Sequence, residues 1–292
     1  KTVLVITGTG APARAAANIY AKAFPAADFN VHFVENTIGL KHVSSFLWRR
    51  FRRQGLGDAI GLLWLRLIGS RPPSVEKQFA TDMKLTDLDA IESAYLEAIG
   101  PRVVITNGCS LLSAGLIERI HALGAEIINV HNGFNPRYRG TGNFWAIFER
   151  NLELTGVTLH HLDAGIDTGQ KIAVQRLDLI RQATPFSQID VLAFEVGARM
   201  AVDYVVRRRV SGISEPEMRS RVYTYPSLWQ YRMARARYVS ALRSGRPEAI
   251  QDGWRNSFER LAIRRDLDSF QQLQWTDSSR VEPRDQLVRR IV

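Results

Sequence analysis

Residues 2–10 read TVLVITGTG, a short run of β-branched and aliphatic residues that ends in two glycines. Such a run is typical of a buried strand in a parallel sheet, and the glycines indicate a tight turn after it. The alanine-rich stretch Ala13–Phe24 predicts a helix, and Phe29–Val34 predicts a second strand. This β-α-β order is the beginning of a doubly wound α/β sheet.

The alternation of strands and helices continues as far as residue 206. Strands are predicted over residues 103–106, 126–130, 155–162 and 171–177, and helices over residues 86–98, 111–123, 144–149 and 184–206. Residues 36–75 interrupt the alternation with two predicted helices, Phe46–Phe51 and Leu56–Ile68. The second helix carries its leucines and isoleucine at helical spacing, so we interpret this segment as a helical insertion packed at the sheet edge.

Residues 207–292 differ in composition from the rest of the chain. They carry few strand signals, many arginines and aromatic residues, and scattered helix formers. We therefore expect a catalytic domain over residues 1–206, with an α/β, doubly wound, Rossmann-like and mostly parallel sheet. A small, mainly helical C-terminal extension over residues 207–292 is expected to follow it.

The chain has a formal net charge of +10 and one cysteine, Cys109. A single cysteine excludes an internal disulfide, and no stretch reaches the roughly 18 to 20 apolar residues of a membrane-spanning helix. These features favour a cytoplasmic protein. We interpret the arginine clusters within residues 46–71 and 207–237 as solvated faces, and the alternative is a basic protein that docks there on a membrane or on nucleic acid.

Asn129 and His131 lie at the end of a predicted strand. Alternate strand residues point to the same side, and open α/β sheets bind ligands at the carboxyl ends of strands. The two side chains are therefore expected side by side at a ligand position. Asp167 follows in a glycine-flanked turn, where the backbone can approach a ligand closely. His160 and His161 lie within a strand, and we assign a catalytic role to neither.

Five segments, in this order and spacing, resemble the formyltetrahydrofolate-dependent formyltransferase family. The segments are Asn129–His131, Pro136–Gly140, Trp145–Ile147, Thr155–Thr158 and Asp163–Gly169. The family includes the glycinamide ribonucleotide, methionyl-tRNA and sugar N-formyltransferases, and the chain is most similar to the last of these. The resemblance implies transfer of a formyl group from the co-substrate 10-formyltetrahydrofolate to a primary amine, without a metal ion.

The resemblance implies catalytic roles for Asn129, His131 and Asp167. Asn129 and His131 can donate hydrogen bonds to the oxyanion of acyl transfer, and a histidine can exchange protons near neutral pH. Asp167 would stabilise charged His131 or pass a proton through a water molecule. The folate pocket implied by the resemblance comprises Ser110, Leu111, Leu112, Asp163, Gly165 and Asp167. The implied substrate pocket comprises Gly8, Thr9, Gly10, Phe134, Tyr138 and Arg139.

The chain departs from the family pattern at several positions. Asn132 and the region near Asn143 stand where the family usually has prolines, and Ala11-Pro12 replaces a serine-asparagine pair of the glycinamide ribonucleotide enzyme. Because proline removes a backbone donor, Pro12 weighs against glycinamide ribonucleotide as the substrate.

The C-terminal region, residues 207–292, shows no likeness to the tRNA-binding barrel of methionyl-tRNA formyltransferases, which weighs against tRNA. We therefore favour an anionic acceptor, an amino sugar on a nucleotide carrier, over glycinamide ribonucleotide or another metabolite amine. The resemblance also suggests a homodimer, and it favours neither a nucleic-acid partner nor contact with a membrane.

A nicotinamide-dependent enzyme is the remaining alternative. Gly8, Gly10 and Ala13 fit the pattern G-x-G-x-x-A, and Glu35 lies just after the second predicted strand, where a ribose-binding acid is found in dinucleotide-binding proteins. This alternative does not explain the constellation between residues 129 and 169.

Overall fold

The computed structural model describes residues 1–39, 44, 48, 51–52, 55, 74–208 and 220–246. The two helices expected in the insertion therefore lie outside the described residues, apart from isolated positions. The same holds for most of the C-terminal extension. Within the part of the chain that is described, no helix is long and apolar enough to cross a membrane.

The described chain alternates strands and helices. The strands are β1 (Thr2–Gly8), β2 (Asn30–Asn36), β3 (Met83–Leu85), β4 (Val103–Asn107), β5 (Glu126–His131), β6 (Arg139–Gly140), β7 (Gly156–His161), β8 (Lys171–Arg176) and β9 (Val222–Tyr223). The helices are α1 (Ala11–Ala23), α2 (Ser93–Ile99), α3 (Ala114–Ala122), α4 (Asn143–Phe148), α5 (Ile189–Arg207) and α6 (Leu228–Ser244). Short 3-10 helices cover Leu88–Ala90, Leu152–Leu154 and Phe186–Gln188.

Seven of these strands form one sheet in the order β3-β2-β1-β4-β5-β7-β8. The pairs from β3 to β5 are parallel, which confirms the predicted α/β, mostly parallel architecture. β7 runs antiparallel to β5, and β8 runs antiparallel to β7. A short turn joins β7 to β8, and a turn of that length can only connect antiparallel neighbours.

The central strands are apolar on both faces because helices cover both. Val3 and Val5 face one side, with α1 and α5, whereas Leu4 and Ile6 face the other side, with α2 and α3. Gly197 of α5 allows the helix to approach β5 closely, since a Cβ atom there would lie 2.2 Å from Cγ1 of Val130.

Three predicted helices begin later than expected. The helix predicted from residue 86 begins at Ser93, because the Asp87 side chain accepts a hydrogen bond from the Asp89 backbone and forms a separate turn. The helix predicted from Thr184 begins at Ile189, after a 3-10 turn, and Thr184 is not its cap. Helix α3 also begins three residues late, where the side chain of Ser113 caps it.

The described residues 220–246 pack against the rest of the molecule. Ala234, Tyr238 and Ala241 of α6 are fully buried in the same apolar cluster as α5, and the Tyr238 hydroxyl donates to the Thr184 carbonyl at 2.6 Å. The described part of the extension contains helix α6, the short strand β9 and the connecting chain. The domain boundary at residue 206 stays a prediction.

Candidate active site

Asn129, His131 and Asp167 meet at the carboxyl end of β5. His131 Nδ1 lies 3.2 Å from Oδ2 of Asp167, and Asn129 Nδ2 lies 3.4 Å from Oδ1 of the same carboxylate. Val130 points into the core beneath α5, so Asn129 and His131 lie on the opposite face of the sheet, as their alternation predicts. The structure thus brings together the three side chains that the sequence singled out.

His160 is a fourth member of this group. Antiparallel pairing places it directly opposite Asn129, and its Nε2 lies 3.0 Å from Asn129 Nδ2 and 3.5 Å from Asp167 Oδ1. Its side chain is 1% exposed. His160 therefore lies within the candidate site, which its sequence position did not indicate, and the expectation that it has no catalytic role stays a prediction. His161 points away, and its Nδ1 faces Glu126 at 3.6 Å.

Hydrogen bonds fix the orientation of the Asn129 amide. Thr106 Oγ1 donates to Asn129 Oδ1 at 2.8 Å, which directs the amide nitrogen toward Asp167 and His160. His160 Nδ1 lies 2.8 Å from the carbonyl oxygen of His161. Because a carbonyl only accepts, this nitrogen carries the proton, and His160 Nε2 is left as an acceptor for Asn129.

His131 is held from both sides of its ring. Nε2 donates to the Tyr138 carbonyl at 2.7 Å, which leaves Nδ1 facing Asp167. The loop reaches this position because two of its residues are glycines. A Cβ atom on Gly133 would lie 2.5 Å from His131 Nε2, and one on Gly142 would lie 1.5 Å from the Asn132 carbonyl oxygen.

Two of the departures from the family pattern are bonded to each other. The Asn143 side chain donates to Asn132 Oδ1, and Asn132 Nδ2 donates to Asp190 at 2.6 Å. Asn143 also exchanges two hydrogen bonds with the backbone of Gly156. A polar network therefore fixes the chain directly after His131.

Asp167 lies in a strained turn, and both its carboxylate and its backbone carbonyl accept hydrogen bonds. Its backbone has φ 50, a left-handed conformation that is uncommon outside glycine. The Gly140 backbone N–H donates to its Oδ2 at 2.8 Å, and Asn135 Nδ2 donates to its carbonyl oxygen at 3.2 Å. Strain of this kind concentrates at functional sites.

The environment favours a charged Asp167 beside a neutral His131. Burial alone would raise the pKa of Asp167, but His131, His160 and the Gly140 N–H hold that pKa well below its ordinary value. Burial lowers the pKa of His131, and the Asp167 carboxylate and the Tyr138 carbonyl oppose this effect without reversing it. A carboxylate next to a neutral imidazole is an arrangement suited to proton transfer.

The residues expected to bind folate differ in their exposure to solvent. Leu111 is 43% exposed, whereas Leu112 is 2% exposed and packs in the core under α3. The side chain of Leu112 therefore cannot line the pocket, which corrects the expectation for it. The backbone N–H of Ser110 is already bonded to Asn36 Oδ1 at 2.8 Å.

The turn before Asp167 is organised locally. Asp163 Oδ1 accepts hydrogen bonds from the Gly165 N–H at 3.0 Å and from Thr168 Oγ1 at 2.7 Å. Asp163 thus caps its own turn, and Gly165 is needed there because a Cβ atom would collide with Thr168. The backbone of this turn remains at the surface beside Asp167.

Most of the residues expected to bind the substrate are buried. Phe134 and Tyr138 are 0% exposed and form an apolar cluster with Trp145 and Tyr223. Their burial indicates a packing role in place of the substrate contact that the resemblance implied. Arg139 is also buried, and its guanidinium donates to the Ile166 carbonyl at 3.3 Å.

The loop at residues 8–10 joins β1 to α1. Gly8 packs against the neighbouring strand, since a Cβ atom there would lie 2.2 Å from the Gly108 carbonyl oxygen. Gly10 is exposed, Thr9 is half-buried, and Pro12 stands in the first turn of α1. The glycine at position 8 is thus explained by packing.

Glu35 is not available to a nucleotide ribose. Its carboxylate is 3% exposed and pairs with Lys77 at 3.0 Å and with Lys84 at 3.7 Å. Burial would raise the pKa of Glu35, but Lys77 outweighs this effect and lowers it. This pairing argues against the nicotinamide alternative. Among the described side chains, no group of three or more histidine, cysteine or acidic residues is arranged to hold a metal ion.

Residues 74–193 match a protein family described as formyl transferase. This part of the chain is similar to the formyl transferase family. The chain is 38% identical over 143 residues to a methionyl-tRNA formyltransferase from Burkholderia multivorans, which covers 49% of this chain and 42% of the relative. It is 27% identical over 131 residues to the enzyme of the same name from a Thermotoga species, covering 45% of this chain and 41% of the relative.

The aligned part of the chain spans about two fifths of the length of these curated relatives. Among solved structures, a sugar N-formyltransferase from a Shewanella species aligns over 76% of each chain, with a TM-score of 0.46 and 13% identity. The family match includes Asn129, His131, His160 and Asp167.

Proposed function

We propose that this protein transfers the formyl group of 10-formyltetrahydrofolate to a primary amine. The observation that carries this proposal is the meeting of Asn129, His131 and Asp167 at the carboxyl end of β5. The match of residues 74–193 to the formyl transferase family supports formyl transfer. The roles of the three residues and the identity of the acceptor belong to the proposal.

Formyl transfer requires a group that takes a proton from the attacking amine and a donor for the formyl oxygen as it becomes negative. Burial lowers the pKa of His131, which favours the neutral imidazole, so Nδ1, the nitrogen not bonded to the Tyr138 carbonyl, would accept that proton and form an ion pair with Asp167. Asn129 Nδ2 has two N–H groups, which contact His160 and Asp167 in this structure. One of them would turn to the formyl oxygen when the substrates bind.

A binding position for the folate is supported by the surface beside Asp167. Asn135 Oδ1 is buried without a hydrogen-bond partner among the described residues, while Asn135 Nδ2 is bonded to Asp167. Because this acceptor is shielded from solvent, an N–H donor of a pterin ring would reach it only if the Asn135 side chain turns outward on binding. The exposed side chain of Leu111 and the turn at residues 163–166 would supply apolar and backbone contacts.

For the acceptor, we propose the amine of an anionic amino sugar on a nucleotide carrier. Pro12 removes a backbone donor from the first turn of α1, which weakens this loop as a phosphate site of the glycinamide ribonucleotide type. The curated relatives carry the name methionyl-tRNA formyltransferase. Aminoacyl-tRNA is therefore the second candidate, and one assay can compare the two.

The test is absorbance-monitored turnover of 10-formyltetrahydrofolate with a panel of amines. The panel contains nucleotide-linked 3-amino and 4-amino sugars, methionyl-tRNA and glycinamide ribonucleotide. We expect turnover with one amine class, and a loss of about 10²–10³-fold in kcat for Asn129→Ala, as for other oxyanion donors. His131→Ala should lose at least as much.

The exposed residue His121 on α3 provides the control variant, His121→Ala, which should keep wild-type turnover. Formylation of methionyl-tRNA alone would reject the amino sugar and retain formyl transfer. Absence of turnover with every amine, together with absence of folate binding by calorimetry, would reject the proposed function.

A further inference from the structure

A second, two-stranded sheet joins the candidate active site to the C-terminal part of the chain. β6 lies in the loop after His131, and β9 lies in the segment of residues 220–225, which we call the C-terminal segment. We propose that the C-terminal segment is a positioning element of the active site, because it holds the loop that fixes His131 and Asp167. For its kinetic consequences this proposal rests on the proposed function.

Backbone hydrogen bonds connect the C-terminal segment to both sides of Gly140. Arg139 N donates to the Arg221 carbonyl at 3.0 Å, and Thr141 N donates to the Tyr223 carbonyl at 3.3 Å. Gly140 itself has φ 83, and a Cβ atom there would lie 2.2 Å from the Tyr223 carbonyl oxygen. The contact is therefore so close that only glycine fits, and the segment determines where the Gly140 N–H points.

Further bonds secure the two ends of β9. The Thr224 carbonyl accepts from Thr141 Oγ1 at 2.7 Å and from Trp145 Nε1 at 2.9 Å. At the other end, Arg221 N donates to the Pro136 carbonyl at 3.2 Å. The segment is thus tied to the loop at its beginning and to α4 at its end.

A cluster of side chains around Glu149, which we call the Glu149 cluster, reinforces this pairing. The Glu149 carboxylate accepts hydrogen bonds from the hydroxyls of Tyr138 at 3.0 Å and Tyr223 at 2.6 Å. Arg137 pairs with it at 3.0 Å and Arg221 at 3.7 Å. Burial raises the pKa of Tyr138 to about 12 and raises that of Tyr223 as well, so both hydroxyls remain donors at any working pH.

The positioned loop supplies both partners of His131. The Tyr138 carbonyl accepts from His131 Nε2, and the Gly140 N–H holds the Asp167 carboxylate that faces His131 Nδ1. Each of these partners favours the protonated imidazole. If the C-terminal segment shifts the loop, His131 loses contact with groups that raise its pKa, and that pKa should fall.

The test uses Glu149→Ala, which removes the acceptor from two tyrosines and two arginines. The pKa of His131 is measured by NMR titration of histidines labelled with ¹³C at Cε1, with His131→Ala to assign the signal. We expect this pKa to fall by about half a unit or more. With the active substrates, kcat should fall about tenfold with little change in the KM for folate, and Glu149→Gln should recover part of the loss.

Glu126→Ala provides a matched control, because Glu126 binds Tyr204 and Arg208 in a similar cluster at the other end of β5. It should leave the His131 pKa and kcat unchanged. If Glu149→Ala does not fold, the same NMR titration is made on Tyr223→Phe, which removes only one hydrogen bond of the Glu149 cluster. A folded variant in which His131 keeps its wild-type pKa overturns the proposal. The NMR titration needs no substrate, so it tests the positioning role even if the protein formylates no amine.

Discussion

The amide of Asn129 is held at both ends, and this explains how one residue can present a donor to a reacting group. Thr106 binds the amide oxygen, and His160 accepts from the amide nitrogen. His160 is in turn fixed by the neighbouring carbonyl of His161. Because both amide N–H groups already have partners, one of them would have to leave His160 or Asp167 to reach a formyl oxygen, while the bond from Thr106 keeps the amide oxygen in place.

We expect His160→Ala to lower kcat about tenfold, because loss of the acceptor leaves one of the two Asn129 N–H groups without a buried partner. The KM for folate should change less, since His160 acts through Asn129. His160→Gln should restore part of kcat, because its amide oxygen can replace Nε2 as an acceptor. Steady-state kinetics measures this, and His161→Ala on the adjacent half-exposed residue is the control. Equal kinetics for wild type and His160→Ala would show that Asn129 needs no support.

At the scale of elements, the loop between β5 and α4 depends on Gly142. Its backbone has φ 46 and ψ −120, and a Cβ atom would lie 1.5 Å from the Asn132 carbonyl oxygen. We expect Gly142→Ala to lower the free energy of unfolding by about 2–3 kcal/mol. Gly124→Ala is the matched control, because Gly124 also has positive φ but has nothing within 4 Å. Gly124→Ala should lower the free energy of unfolding, measured with urea, by about 1 kcal/mol. Equal losses of stability in both variants would contradict the steric argument.

The sheet and the side-by-side placement of Asn129 and His131 could be predicted because each rests on a local pattern, whereas Asp167 was grouped with them only through the resemblance to a known family. Apolar runs marked the central strands, and alternation along β5 placed Asn129 and His131 on one face. His160 was missed because its place depends on the antiparallel register of β7 with β5, which a single strand does not encode. The pairing of β6 with β9 joins two-residue strands more than 80 residues apart. Segments that short carry no periodicity, so only the folded chain reveals the pair.

At the scale of the whole molecule, polar contacts attach the chain that follows the insertion to the first half of the sheet. Asn18 of α1 donates to the Glu76 carbonyl at 2.8 Å and accepts from the Gln78 N–H at 2.8 Å. Lys77 between them reaches the buried carboxylate of Glu35 at the end of β2. These bonds bring the chain back to the sheet edge, where β3 pairs with β2.

Glu35 therefore couples the stability of the molecule to pH. Its pKa is lower in the folded protein than in the unfolded chain, since Lys77 and Lys84 outweigh the effect of burial. The folded state then binds fewer protons, so the contribution of Glu35 is complete above the unfolded pKa of about 4.3 and is lost as the pH falls below it.

We expect Glu35→Gln to lower the free energy of unfolding by about 1–2 kcal/mol at pH 7, because the amide keeps the shape of the carboxylate but loses the attraction to two lysines. The difference from wild type should shrink steadily between pH 4.5 and pH 3, as wild-type Glu35 takes up its proton. Urea unfolding at each pH measures both values. Glu97→Gln, which removes an exposed carboxylate of α2, controls for the loss of one negative charge. A difference that stays constant down to pH 3 would mean that Glu35 contributes through packing, and that its pairing with Lys77 and Lys84 does not stabilise the fold.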